Sequence, residues 1–435
     1  MTLKELSGKS VIVSIWVLLV IAGLSRINFN SDILNPMSKA FADFELTDIY
    51  FSHIKESPKV DTNIVMVNIG NLDRAQLAAM IEIINQHKPK IIAIDAFFRN
   101  PKHSPDVQED MYFIASDTML SRAFAKVENL ILVSELIEDT AQTDSVVIQR
   151  IAESHPMFMQ YATPAFADVI TKGHDYIKYA RHCVPKQVFN DSVVLSFPTQ
   201  IAMVYDSAKA NRYLKRGNDV EVVNFQGNID TRKEGRSVNS KPVFFALDVE
   251  DVFNGFDPSI IKDKIIIMGY MGKSFGDHTW EDKFCTPLND EYIGRALPDM
   301  YGVVVHANVV SMILKEDYIN DMPEWINILL SLIFIYLNMW LFSWLHLNTA
   351  EWWDGLSMIF SLVGVLLLST FMVYIFAKYN LEVDITLASV ALLLSGNLVE
   401  IYWALINPLY FRIKEKFVPL PNDPIKLEEN EKDLI

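Results

Sequence analysis

Apolar and polar positions divide this chain into three kinds of stretch. Residues 11–25 (VIVSIWVLLVIAGLS) and most of 325–408 are nearly continuous hydrocarbon, whereas the region between them alternates short apolar runs with polar turns. In the last region, WINILLSLIFIYLNMWLFSWL (325–345), LSMIFSLVGVLLLSTFMVYIF (356–376) and ITLASVALLLSGNLVEIYWAL (385–405) each run for about twenty residues, the length that crosses a bilayer core at 1.5 Å per helical residue. With 11–25 read as an uncleaved signal anchor, the pattern predicts four spans, one before the central region and three after it. Trp325, Trp340, Trp344, Trp352, Trp353, Trp403 and Tyr410 cluster near the span ends, as interfacial anchors do.

The middle region reads as alternating strands and helices. NIVMVNIG (63–70), KPKIIAIDAFF (88–98), NLILVSEL (129–136) and KIIIMG (264–269) are buried-type strands. AQLAAMIEIINQH (75–87) and SDTMLSRAFAKV (116–127) are helices, and PMSKAFADFELTDIYFSHI (36–54) is a helical lead-in. Beyond residue 137 the periodicity fades. TPAFADVI (163–170) reads as helical, 193–208 as a strand turning into a helix and DVEVVNFQG (219–227) as a strand. A polar loop (228–242) follows, and FALDVEDVFNG (245–255) is a short helix ended by a glycine. Strands alternating with helices predict an α/β domain with a mostly parallel wound sheet covered on both faces. The expected divisions are 1–26, 27–323, 324–408 and a short tail, 409–435, with too few residues for an output domain.

Charge fixes orientation and removes some functions. Lys4 and Lys9 precede the first span and Arg412, Lys414 and Lys416 follow the last, which predicts cytoplasmic termini and an extracytoplasmic central domain. A formal charge of −16 excludes a nucleic-acid footprint and argues against a soluble face lying on anionic lipid. Outside the cytoplasm a bridge between Cys183 and Cys285 is chemically permitted, and two buried free thiols are the plainer reading.

Ligands of wound parallel sheets sit beyond the carboxyl ends of the strands. That rule nominates Asn71 and Asp73 after the first strand, Asp95 and Phe97 after the second, and Gly269, Gly272, Asp277 and Thr286 after the last. Asp95, inside an apolar run, is either a cap on backbone amides or a ligand contact. Gly269 and Gly272 supply turn geometry or let backbone amides approach an anion. Asp277, His278, Glu281 and Asp282 are dense in metal-ligand types, without a spacing signature, and a solvated acidic loop is the simpler account. His306 reads as a core histidine on an apolar helical face. Glu400 is the one acid inside a span, where such groups pair or pack against a partner. No nucleophile elbow, phosphate loop or zinc-protease motif occurs, so no catalytic residue and no cofactor is expected.

A series of small motifs then resembles a known family. These are Pro89 with Ile91–Asp95 and Phe97; Asp117, Leu120 and Ala123; Pro164, Phe166 and the segment from Gly173 to Arg181; and Ser196-Phe197-Pro198. Asn224-Phe225-x-Gly227, Asp251-Val252-x-x-Gly255, Lys264–Gly269, Asp277, Thr286-Pro287, Gly302 and His306-Ala307-Asn308 complete the series. Their order, between one span and three, is similar to the CHASE domain (cyclase/histidine-kinase-associated sensory extracellular) of the second type. This chain lacks the Asp-x-Asp-Gly turn that the family usually carries near 173–181. The resemblance implies an extracytoplasmic module in a bacterial inner membrane that senses an unassigned ligand. In the family the module usually serves a kinase or nucleotide cyclase on the same chain; here a separate membrane or cytoplasmic protein is the expected effector. A scaffold subunit of an envelope complex is the rival expectation.

Overall fold

The buried-type runs form strands, and those strands lie side by side. The computed structural model describes residues 3–26, 45–56, 59–138, 148–172, 178–230, 242–277, 281–289, 297–409 and 412, and the chain opens with helix α1 (Leu3–Leu24). Then come β1 (Asp61–Asn68), α2 (Arg74–Gln86), β2 (Ile91–Asp95), α3 (Val107–Phe124) and β3 (Leu130–Glu138). A less regular stretch holds β4 (Ile148–Ala152), β5 (Thr163–Phe166), β6 (Ile170–Lys172), β7 (Tyr179–Cys183), β8 (Lys186–Phe189) and β9 (Ser192–Leu195). Helices α4 (Phe197–Tyr205) and α5 (Ser207–Leu214) lead to β10 (Glu221–Val222), β11 (Phe244–Leu247), α6 (Val249–Asn254) and β12 (Ile265–Gly269). The pair β13 (Lys283–Phe284) and β14 (Met300–Tyr301) precedes α7 (Gly302–Lys315), and α8 (Glu324–Asn348), α9 (Trp353–Tyr379) and α10 (Thr386–Ile401) follow. Residues 33–320 form one compact unit; 1–32 and 321–435 form another.

In the first unit the sheet runs β11-β1-β12-β2-β3, with β5 beside β3 and every one of these pairings parallel. Only β4 is antiparallel, laid on the last residues of β3. Side chains alternate between the two faces. Val65, Val67, Ile92, Ile94, Leu130, Leu132, Ile266 and Met268 share a core with α2, α3 and α6. Their neighbours, such as Met66, Ala93 and Ile267, are equally buried but point to the opposite face, where α4 and α7 pack. Each such Val, Leu, Ile or Met contributes about 1.5–3 kcal/mol by burial. Asp73, Asp106 and Asp248 start α2, α3 and α6 by accepting backbone N–H groups of the first turn. A buried pair, Arg181 Nη2 to Asp48 Oδ2 at 2.6 Å, ties the lead-in turn to β7.

Several local expectations are corrected. Thr163–Phe166 is not helical; it is β5, an edge strand in register with Ile131–Ser134, a position that tolerates Pro164. Phe244–Leu247 is likewise a strand on β1, and the helix that follows is confined to Val249–Asn254 before Gly255 at φ +100°. Of 219–227 only Glu221–Val222 pairs. Helix α3 begins at Val107, well before the expected start. Residues 36–44 of the expected lead-in helix lie outside the described residues. Cys183 and Cys285 are both buried and free, so no bridge forms.

Among the described residues the second unit holds four helices long and apolar enough to span a membrane, one N-terminal and three C-terminal. Helix α10 presents its small residues to its neighbours. A Cβ added to Gly396 would lie 3.0 Å from Ser357 Oγ, and Asn338 Nδ2 donates to Ser395 Oγ at 3.3 Å. Close backbone approach through small and hydroxyl residues is how helices associate in lipid.

Candidate functional site

All the parallel strands end on one rim, and β12 is where their connections part. The chain leaves β1 and β2 for α2 and α3 on one face but leaves β12 for α7 on the other, so a crevice opens on each side of β12. Register sets Asn68, Gly269 and Asp95 next to one another on this rim.

The crevice between β1 and β12 is closed by its own hydrogen bonds. Asn68 Nδ2 donates to Asp248 Oδ1 (2.9 Å) and to the Gly272 carbonyl (3.0 Å), while its Oδ1 accepts from Gly70 N and Met271 N. Asp248 Oδ2 accepts from Phe275 N at 2.7 Å. Gly272 adopts φ +87°, and a Cβ there would meet Asp277 Cβ at 3.0 Å and Tyr301 Oη at 3.1 Å. Asp277 accepts from Lys273 N. Gly272 and Asp277 therefore shape the turn. Asp73 is the α2 cap: burial raises its carboxyl, but bonds from Gln76 N, Tyr112 Oη and Ala75 N outweigh that and lower it. Asn71 is exposed in the preceding turn.

The crevice between β12 and β2 is different. Asp95 ends β2 on the α7 face, 17% exposed, and accepts no hydrogen bond from the described residues. His306 Nε2, on α7, stands 3.9 Å from Asp95 Oδ2, too far for a hydrogen bond. The imidazole instead meets the Ala167 carbonyl beyond β5 and the ring edge of Phe197 at 5.4 Å. Burial governs both groups. It pushes Asp95 up to about 7, with the Asp282 charge adding to the effect, and pushes His306 down to about 4 against the Ala167 bond. Asp282, in the left-handed region at φ 56°, holds its carboxylate over the start of α7, 3.1 Å from where a Gly302 Cβ would stand. The surrounding protein, reinforced by Glu281, raises it to about 6, although the side chain still reaches solvent. Asp95 of β2 and His306 of α7 thus face one crevice without bonding each other, and the exposed Asp282 of the loop before α7 is near enough for its charge to act on Asp95. Such a site suits a proton, a cation or a small hydrogen-bond donor.

Other nominated residues have structural roles. A Cβ on Gly269 would meet Val303 Cγ2 at 2.7 Å, so this glycine lets α7 lie against β12. Phe97 is exposed under the Arg99 guanidinium (4.7 Å), and Arg99 pairs with Glu135. Thr286 gives its N–H (2.8 Å) and hydroxyl (2.7 Å) to Asp299, whose carboxyl burial pushes up to about 7 against those bonds. His278 lies outside the described residues, Glu281 is exposed, and no cluster of three metal-ligand residues occurs among the described residues. Glu400 belongs to the second unit, exposed on α10. Asp299, Asn68 and Asp248 were not singled out by sequence; each is a polar residue bordering an apolar run, which is the signal available.

The motif residues mostly hold the fold. Asp117 takes Arg74 Nη1 at 2.5 Å and Lys102 N at 3.2 Å. Asn308, fully buried, accepts from Gln226 N and Gly227 N and donates to the Gly227 and Val304 carbonyls, which fastens the Phe-x-Gly segment to α7. A wound α/β domain between one apolar span and three defines a multi-pass membrane protein. The sequence model of the CHASE2 domain matches residues 19–347, and the chain belongs to that family of sensory extracellular domains. No match is found among curated proteins or solved structures.

Proposed function

We propose that this protein is a non-enzymatic sensory subunit whose domain lies outside the cytoplasm, with both termini inside, and that the β12–β2 crevice takes the cue. The observation that carries this reading is Asp95, which accepts no hydrogen bond from the described residues at a strand-end crevice, stands 3.9 Å from His306 and feels the Asp282 charge. His306 sits on α7, and the chain then reaches the second span at Glu324. A separate membrane or cytoplasmic protein reads the change. The scaffold reading draws on the other crevice, which Asn68 and Asp248 fill, and on motif residues engaged within the fold.

Binding separates the two. The full chain in mild detergent is melted with magnesium, with calcium and with fractions of an envelope extract, beside an Asp95→Asn variant. A ligand present at about a hundred times its Kd stabilises by about 2.7 kcal/mol. A rise in Tm in the parent that the variant lacks supports the sensory reading. No rise with any fraction, or equal rises in both proteins, removes the crevice from that role.

A further inference from the structure

The outward face of the last span carries two polar residues, Asn397 and Glu400. Thr386, Val390, Leu393, Asn397, Glu400 and Ala404 are all exposed, at alternating spacings of four and three, the pattern of a helix-pairing seam. The face opposite, Ala388, Ala391, Ser395 and Val399, is buried against the other spans. Asn397 lies near the centre of the seam, and among the described residues neither it nor Glu400 makes a hydrogen bond or ion pair. His346 of α8 has an Nδ1 without a partner among the described residues, and its ring abuts Trp353 at 4.8 Å. Lys9 Nζ rests 4.9 Å from the centroid of the Trp403 ring, an anchor of the kind found at the membrane interface. From Trp403, Asn397 lies about 9 Å deeper along the helix at 1.5 Å per residue. An amide pointing into hydrocarbon without a partner is costly, and helices in lipid relieve that cost by pairing.

We propose that α10 is a self-association surface on which two copies of this chain pair their last spans in parallel, Asn397 bonding Asn397. Two copies in one bilayer share an orientation, so a two-fold axis along the membrane normal sets each seam residue opposite itself. An amide is its own complement, since it donates and accepts. A carboxylate only accepts, and Glu400 is turned about 60° away from Asn397 around the helix. The inference rests on α10 lying in the bilayer and is independent of the ligand crevice.

The test uses the full chain in vesicles of phosphatidylethanolamine and phosphatidylglycerol. Leu393→Cys and Ala404→Cys should cross-link between copies on oxidation, and Ala391→Cys, on the buried face, should not. Energy transfer between labelled copies should fall about tenfold in apparent association for Asn397→Leu, less for Asn397→Gln, and not at all for Glu400→Gln. Cross-linking at Ala391 as fast as at Leu393, or full association of Asn397→Leu, overturns the proposal. Loss of association in Glu400→Gln also overturns it, because the contact between copies would then run through Glu400 and not through the Asn397 pair. Protection of the native Cys183 and Cys285 from thiol reagent checks that residues 33–320 stay folded in each variant, and helical circular dichroism equal to the parent's checks the spans.

Discussion

Asp95 and His306 give stability opposite dependences on pH, and two single substitutions separate them. The Asp95 carboxyl moves from 3.8 to about 7 on folding. The folded protein therefore keeps a proton that the unfolded chain has released, and stability is lost as pH rises from about 4 to 7. At 1.36 kcal/mol per unit, the loss between pH 5 and pH 8 is about 2–3 kcal/mol. His306 moves from 6.5 to about 4. Here the unfolded chain takes the proton first, and stability is lost as pH falls through that interval, by about 2 kcal/mol at pH 5. The two slopes nearly cancel in the parent. Asp299, raised to about 7, titrates in the same window and drops out when a variant is subtracted from the parent; Asp282, raised to about 6, drops out for His306→Gln, whereas its action on Asp95 is part of what Asp95→Asn removes. Asp95→Asn should therefore gain about 2–3 kcal/mol relative to the parent on going from pH 5 to 8, and His306→Gln should gain about 2 kcal/mol on going from pH 8 to 5. In a unit of this size that is about 4–10 °C in Tm. Cys183 and Cys285 provide the assay: both are buried, free and within residues 33–320, so a brief thiol-labelling pulse at fixed pH after heating scores that unit alone. Superimposable profiles for Asp95→Asn and the parent from pH 5 to 8 would refute the reasoning, because they would mean Asp95 ionises in the fold as freely as in water.

Two further substitutions probe the packing behind the crevice. Gly269→Ala places a methyl 2.7 Å from Val303 Cγ2 and 2.8 Å from Val303 Cβ and should cost about 1–3 kcal/mol; adding Val303→Ala keeps that Cβ and should recover only part of the loss, and a Gly269→Ala variant as stable as the parent would show that α7 does not need the glycine to lie against β12. Asn308→Ala strands the Gln226 and Gly227 N–H groups in the core and should cost about 3–5 kcal/mol in denaturant titration, whereas a loss under 1 kcal/mol would mean water replaces the amide.

What was legible in the sequence follows from how far each signal reaches along the chain. Ile64–Val67, Ile91–Ile94 and Ile265–Met268 are unbroken apolar runs, which is what strands covered on both faces must be, and their order between helices yields a parallel sheet. The four spans are clearer still. Thr163–Phe166 misleads because four residues with a proline carry no period, and its strand character comes from the β3 edge it pairs with. The crevice was half visible. Asp95 stood out as an acid in an apolar run, and His306 read as a core histidine, but their approach depends on β12 settling beside β2 and on Gly269 letting α7 descend onto it. Asp277 and Gly272, conspicuous in sequence, turned out to shape their own turn.

The position of β12 has a consequence for how the chain is made. It lies between β1 and β2, yet it is the last strand of the sheet to be synthesised. Until residues 265–269 arrive, the inner edges of β1 and β2 remain unpaired and their apolar faces uncovered, in the configuration that recruits strands from other chains. Closing the centre of the sheet then requires a long loop to be ordered in one step, which makes the reaction slow for the stability it yields. Folding of this domain is thus committed late, by a strand that arrives just ahead of the second span. A truncation ending before Ile265 would leave β1 and β2 without the strand that joins them. It would aggregate rather than persist as a smaller sensor.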